Sequence, residues 1–200
     1  MTRTNTGRSI AACRAFLLGI AFTISAAPGA QSAEVTGDCL WELLPSAAQD
    51  RMIIAYAKGG SAAMGSVSAW SDLEAIMPCI VMPSDSAGAR KLGAQVALLQ
   101  SAVPVERASG EYLATHGYPL LVLEDAWRRL GAADRETLRS VAEAVVSGRD
   151  PEPGPYAEVL LRAADLAGRP VDLDVKQAPR LTAFSEYFLN RAIREAVEAQ

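Results

Sequence analysis

Alanine fills 37 of the 200 positions, and it is the residue that gives up least on entering a helix. Those alanines stand between glycines and prolines spaced at helical lengths. Alternating β-branched runs are missing, and so are the Asn-Gly and Asp-Gly pairs that close hairpins. The chain is therefore expected to be all-α, a compact bundle or array of about seven to eight helices. Half the residues are hydrophobic and 21% are charged, enough apolar surface for a core and too little charge for a disordered chain.

The punctuation places the helices. One is expected from Pro45 or Ser46 to Lys58, stopped by Gly59-Gly60. A small-residue loop should run to Ser66. A second helix should open near Ser68 or Ser71, where Ser71-x-x-Glu74 reads as a capping box, and end at Pro78. Ser84 is the expected N-cap of a third helix to about Ser101. Its stripe Ala89, Leu92, Val96, Leu99 and Val103 steps by three and four. A short helix from Pro104 to Thr115 should follow, then Pro119–Leu130 with Leu120, Leu123, Trp127 and Leu130 on one face. Next comes Ala133–Ser147 with Leu138, Val141 and Val145 inward. The prolines of segment 150–155 read as a stiff linker. Beyond it stand helices from Tyr156 to Ala167 and from about Arg180, the last with Leu181, Phe184, Phe188 and Ala192 on one side.

Residues 1–32 read as a cleaved signal peptide. Arg3, Arg8 and Arg14 precede the apolar run Ala15–Ala27, and Ala30-Gln31-Ser32 supplies a small-x-small site, so Ala33 would open the mature chain. The run is short of the ~20 residues of a membrane span, and Pro28-Gly29 closes it. Cys13 precedes the run instead of following it, which excludes lipidation there. Export to the periplasm or outside the cell is expected, with no integral membrane segment in the mature chain. Alanine and arginine richness together with a signal of this kind suggests a bacterial product. Without the signal, 16 basic residues face 23 acidic ones, a net charge of −7. That balance excludes nucleic acid as the default partner.

In an oxidising compartment, Cys39 and Cys79 are expected to pair as a structural disulfide. Two free buried thiols and a redox pair are the alternatives, the latter disfavoured by the missing C-x-x-C spacing. Closing the loop would be worth about 4 kcal/mol by chain entropy. Residues 33–200 should form a single helical domain. Trp41-x-x-Leu44 against Trp127-x-x-Leu130, Trp70 against Tyr156 and Pro83-Ser84-Asp85 against Pro170-Val171-Asp172 recur at offsets of 86 to 87 in the same order. Two related helical units, 38–125 and 126–200, could account for that pattern, as could chance among alanine-rich helices.

Chemistry is sparse. His116 is the only histidine, and its place at a predicted helix C-terminus suits a capping role. Gly60–Ser66 has phosphate-loop glycines without the lysine, and Asp172-Leu173-Asp174 lacks the remaining calcium ligands. Arg128-Arg129 and Asp134-Arg135-Glu136-x-x-Arg139 mix signs as a surface face with weak ion pairs, not a phosphate patch. Trp41, Trp70, Trp127, Phe184, Tyr187 and Phe188 read as core before they read as a ligand groove. The weak catalytic candidates are Glu111, Glu124 and His116, the two glutamates as an acid and base pair with Asp125 nearby. No cofactor and no metal are expected. The sequence thus favours an exported non-catalytic protein that binds another protein, an envelope component or a small ligand. A carboxylate-dependent hydrolase of cell-envelope polymers is the alternative.

Overall fold

In the computed structural model Thr36 and Asp85 cap the helices that follow them with their side chains, while Pro45 and Pro119 stand at the starts of two others without such a cap. The structure describes residues 35–65, 77–81, 83–150, 153–168 and 178–200. Among them are seven α-helices and no strand: α1 Gly37–Glu42, α2 Ser46–Met64, α3 Ser86–Thr115, α4 Leu120–Arg129, α5 Ala132–Val146, α6 Pro153–Leu166 and α7 Ala178–Glu198, with a 3-10 turn at Met77–Cys79. The chain is all-α. The signal segment, Trp70, the Ser71–Glu74 box and Asp172–Asp174 lie outside the described residues.

Several boundaries differ from the sequence reading. The helix expected to end at Ser101 and the short one from Pro104 are a single 30-residue helix, α3, with Pro104 buried inside it. A mid-helix proline forfeits one hydrogen bond and costs about 3 kcal/mol. Burial on both sides offsets it, through Leu99 and Val103 before the proline and Ala108 and Leu113 after. Its N-cap is Asp85, not Ser84: the Asp85 carboxylate accepts from the Ala87 and Gly88 N–H groups at 3.0 and 2.8 Å. Those hydrogen bonds, the Gly88 one foremost, hold the Asp85 carboxyl below the usual carboxylate range. In α2 the helix breaks at Gly59-Gly60, as expected, but a further turn follows through Met64 in place of a loop. The prolines of the expected linker partly open α6, because the first turn needs no N–H donor. Val145 is exposed rather than inward. The six-residue α1 was not foreseen. It is too short to be stable alone.

The helices pack around α3 and α7, which make the most extensive contact in the fold. They belong to opposite members of the two proposed sequence units. The larger core gathers Phe184, Phe188, Trp127, Leu123, Leu113 and Leu138 with residues of α2 and α6. Phe184 and Phe188 lie 4.8 Å apart between ring centres, and Tyr118 meets Phe184 edge-on. Each fully buried side chain of this size contributes about 1.5–3 kcal/mol. A smaller core under α1 joins Val35, Leu40, Leu92, Leu99, Val103 and Val197. Of the expected stripe, Leu92, Val96, Leu99 and Val103 are buried and Ala89 is half-buried, in keeping with that periodicity.

The Cys39–Cys79 disulfide ties α1 to the 3-10 turn, with Cα atoms 5.8 Å apart. Three further contacts seat α1. The Gly37 N–H donates to Glu198 Oε1 at 2.7 Å. Asp38 pairs with two arginines described below. Gly37 itself lies so close to its neighbours that a Cβ would stand 2.5 Å from Val103 Cγ2 and 2.7 Å from Arg194 Cδ. Both neighbours are buried and cannot swing away. We predict that Gly37→Ala lowers unfolding free energy by about 1–3 kcal/mol in urea denaturation. An unchanged midpoint would show that α1 is not held against Val103 and Arg194.

Candidate functional site

Along α3, the positions Leu99, Val103, Glu106, Gly110 and Leu113 step by four and three, a single helical stripe that is buried throughout. A carboxylate therefore enters the α3–α7 interface, and Glu106 is only 2% exposed. The facing stripe of α7 answers it. Phe184, Tyr187, Arg191 and Arg194 step by three, four and three, so two guanidinium groups continue an otherwise aromatic row. Arg194 Nη2 and Arg191 Nη1 donate to Glu106 Oε1 at 3.0 and 3.1 Å. Arg194 Nε lies 2.8 Å from Glu106 Oε2, an ion pair out of line for a hydrogen bond.

The pairing spreads outward from there. Arg194 Nη1 donates to Asp38 Oδ1 of α1 at 2.7 Å, and Arg107 pairs with the same oxygen. Arg191 Nε reaches Glu195 at 3.4 Å, and that carboxylate also accepts from the Trp127 indole of α4 at 2.5 Å. Burial works against the charge of Arg191. The neighbouring Glu106 outweighs it and raises the guanidinium above its ordinary pKa. Burial, reinforced by Glu106, pushes the Tyr187 phenol up to about 12, so it stays protonated at neutral pH.

Two adjoining surface depressions open over this network. The first, about 150 Å³, is walled by Trp41, Arg107, Glu111, Leu120, Glu124 and Tyr187 among others, with Glu106 beneath. The second, about 190 Å³, is lined by Asp38, Arg107, Glu124, Arg128, Arg191 and Arg194. Arg107 and Glu124 belong to both. Gln49 steadies the rim, its amide donating to the Trp41 and Leu44 carbonyls at 2.8 and 3.2 Å.

The structure brings Glu111 and Glu124 to one depression and leaves His116 out. Five residues past Glu111, His116 is turned about 140° round the helix. Its ring stacks on Tyr112 at 4.1 Å, and its Nδ1 lies 2.7 Å from the Tyr112 carbonyl at the end of α3. Asp125 points to Arg128 and Arg129 instead. Trp41 and Tyr187, read from the sequence as core, help to wall the first depression, and Tyr187 is also buried. Among the described residues no group of three or more His, Cys, Asp or Glu side chains could hold a metal. No helix among them is long and apolar enough to cross a membrane.

Sequence reasoning missed Glu106, Arg107, Arg191, Arg194 and Asp38. A signal was present, because Glu106, Arg191 and Arg194 each occupy the apolar position of a 3-4 stripe. Ending the α3 stripe at Pro104 hid the first of them. No protein-family model, curated protein or solved structure matches the chain, so function is read from these residues alone.

Removing one partner of a buried ion pair leaves the other charge without compensation. We predict that Glu106→Gln costs about 3–5 kcal/mol in urea denaturation. Glu106→Gln combined with Arg194→Met should cost less than the two single changes added together. Additive losses would show that the pair does not act as a unit.

Proposed function

We propose that this is an exported, non-catalytic binding protein of bacterial origin. It is delivered to the periplasm or the medium by its N-terminal signal, and it recognises small polar groups at the double depression between α1, α3, α4 and α7. The observation that carries this reading is that three arginines in the walls of the depression are fixed before any ligand arrives. Arg107, Arg191 and Arg194 are each held by at least one carboxylate, and Glu106 is buried between two of them. Side chains anchored in this way lose little entropy on binding, the main advantage of a preorganised site. The disulfide supports an oxidising destination.

The juxtaposition of Glu111 and Glu124 favours a second reading, a hydrolase of cell-envelope polymers with these carboxylates as acid and base. Size weighs against it. Pockets that enclose a drug-sized ligand run to about 300–1,000 Å³, and the depression holding both glutamates is about half the lower figure. A single charged group fits such a space better than a sugar ring flanked by neighbours.

Mass spectrometry of the exported chain should give the mass of residues 33–200 less two hydrogens for the disulfide. Heteronuclear NMR against a library of small acids, amines, zwitterions and sugars should then shift resonances at Trp41, Arg107 and Glu124. Intact precursor in the membrane would remove the export reading. Release of fragments from peptidoglycan, lost in an E111A/E124A double variant, would replace the binding reading with the hydrolase.

A further inference from the structure

The two depressions carry opposite charge. Arginines outnumber carboxylates in the lining of the second, four against Asp38 and Glu124. In the first the balance reverses, with Glu106, Glu111 and Glu124 against Arg107. The donors are not all used. Arg128 is 69% exposed, and its ion pair with Asp125 spans 3.9 Å, too long to hold it. Arg191 commits Nη1 and Nε to Glu106 and Glu195, and its Nη2 makes no hydrogen bond among the described residues. Glu124 is half-buried at the junction and forms no ion pair among the described residues.

We propose that the double depression is a binding site for small zwitterions, with the ligand carboxylate on Arg128 and Arg191 and its ammonium on Glu124. The assignment rests on the binding-protein reading above and names its ligand class. A simple anion would meet Glu124 as a like charge, and a simple cation would meet the arginines. A molecule bearing both charges, such as an amino acid or a dipeptide, satisfies each wall at once. Planar guanidinium groups suit a carboxylate, which can accept two parallel N–H bonds. Glu124 thus acts as a selector, because its charge favours a ligand with an adjacent ammonium and repels one without.

The test is an NMR titration of the disulfide-intact protein at low ionic strength, where exposed charges are least screened. Five probes are compared: alanine, glycylglycine, acetate, methylammonium and inorganic phosphate. Alanine or glycylglycine should shift resonances around Arg128, Arg191 and Glu124 and bind more tightly than acetate, methylammonium or phosphate. Arg128→Ala should weaken zwitterion binding about tenfold, the scale of one lost charged hydrogen bond. It should leave the thermal midpoint unchanged, since the Arg128 side chain is largely exposed and its ion pair is long. Glu124→Gln carries the decisive sign: zwitterion binding should weaken while acetate binding strengthens. If acetate or phosphate binds as tightly as alanine, or if Glu124→Gln strengthens alanine binding, the zwitterion assignment is wrong and the binding-protein reading survives. If no probe shifts these residues, the assignment is also wrong. Release of peptidoglycan fragments by the same sample would then take the broader reading with it.

Discussion

A glutamate that cannot reach water organises this protein. Desolvating the Glu106 carboxylate costs several kcal/mol, and the structure offsets that cost by placing Arg191 and Arg194 against it from α7. Two guanidinium groups on one carboxylate leave an excess of positive charge in the same low-dielectric region. Asp38 and Glu195 are drawn in to balance it. Each of these brings a neighbour: Asp38 brings α1 and Arg107, and Glu195 brings the Trp127 indole and so α4. The placement of four helices thus follows from compensating one buried charge.

Helix α1 shows how much of the site depends on that chain. Six residues cannot hold a helix in water, yet α1 supplies Asp38 and Trp41 to the depressions. Its seat is assembled from the disulfide, the Gly37 N–H bond to Glu198, the close approach at Gly37 and the Asp38 ion pairs. The disulfide and the charge network hold adjacent residues, 39 and 38. The disulfide therefore does more than stabilise the fold, because it helps to fix one wall of the depressions.

Helical periodicity was legible at most positions where a single physical effect determined it, with Val145 the exception. Leu123, Phe184 and Phe188 fall inward because apolar burial alone decides their position. The sequence failed where two effects compete. Pro104 is a helix breaker by local chemistry, but tertiary burial keeps it inside α3. Gly59-Gly60 does break α2, and there local chemistry wins because no core presses on Gly60. Of the candidate site, Glu111 and Glu124 could be named but not joined. They lie on different helices, and a linear chain does not reveal which faces meet. His116 is turned away from Glu111 by helical phase. The arginines were the least visible, because 191 and 194 lie some 85 residues from 106 and 107, and their meaning exists only in the packed interface.

A buried ion network is weak grounds for stability, since a well-packed apolar replacement is often as stable or more so. Here the network reaches the surface, and that changes its meaning. Arg191 and Arg194 use part of their donor set on the buried Glu106 and Arg107 uses part of its own on Asp38, while all three also line an open depression. Leucine or methionine at 106, 191 and 194 could fill the same volume and close the core, but would present no charge outside. With 23 acidic residues against 19 basic ones, the chain has few cations available, and it places four arginines around a space of about 190 Å³. The buried glutamate holds two of those cations, Arg191 and Arg194, still. On this reasoning the cost of burying Glu106 is a requirement of the surface it supports, and the interior and the site are one electrostatic unit.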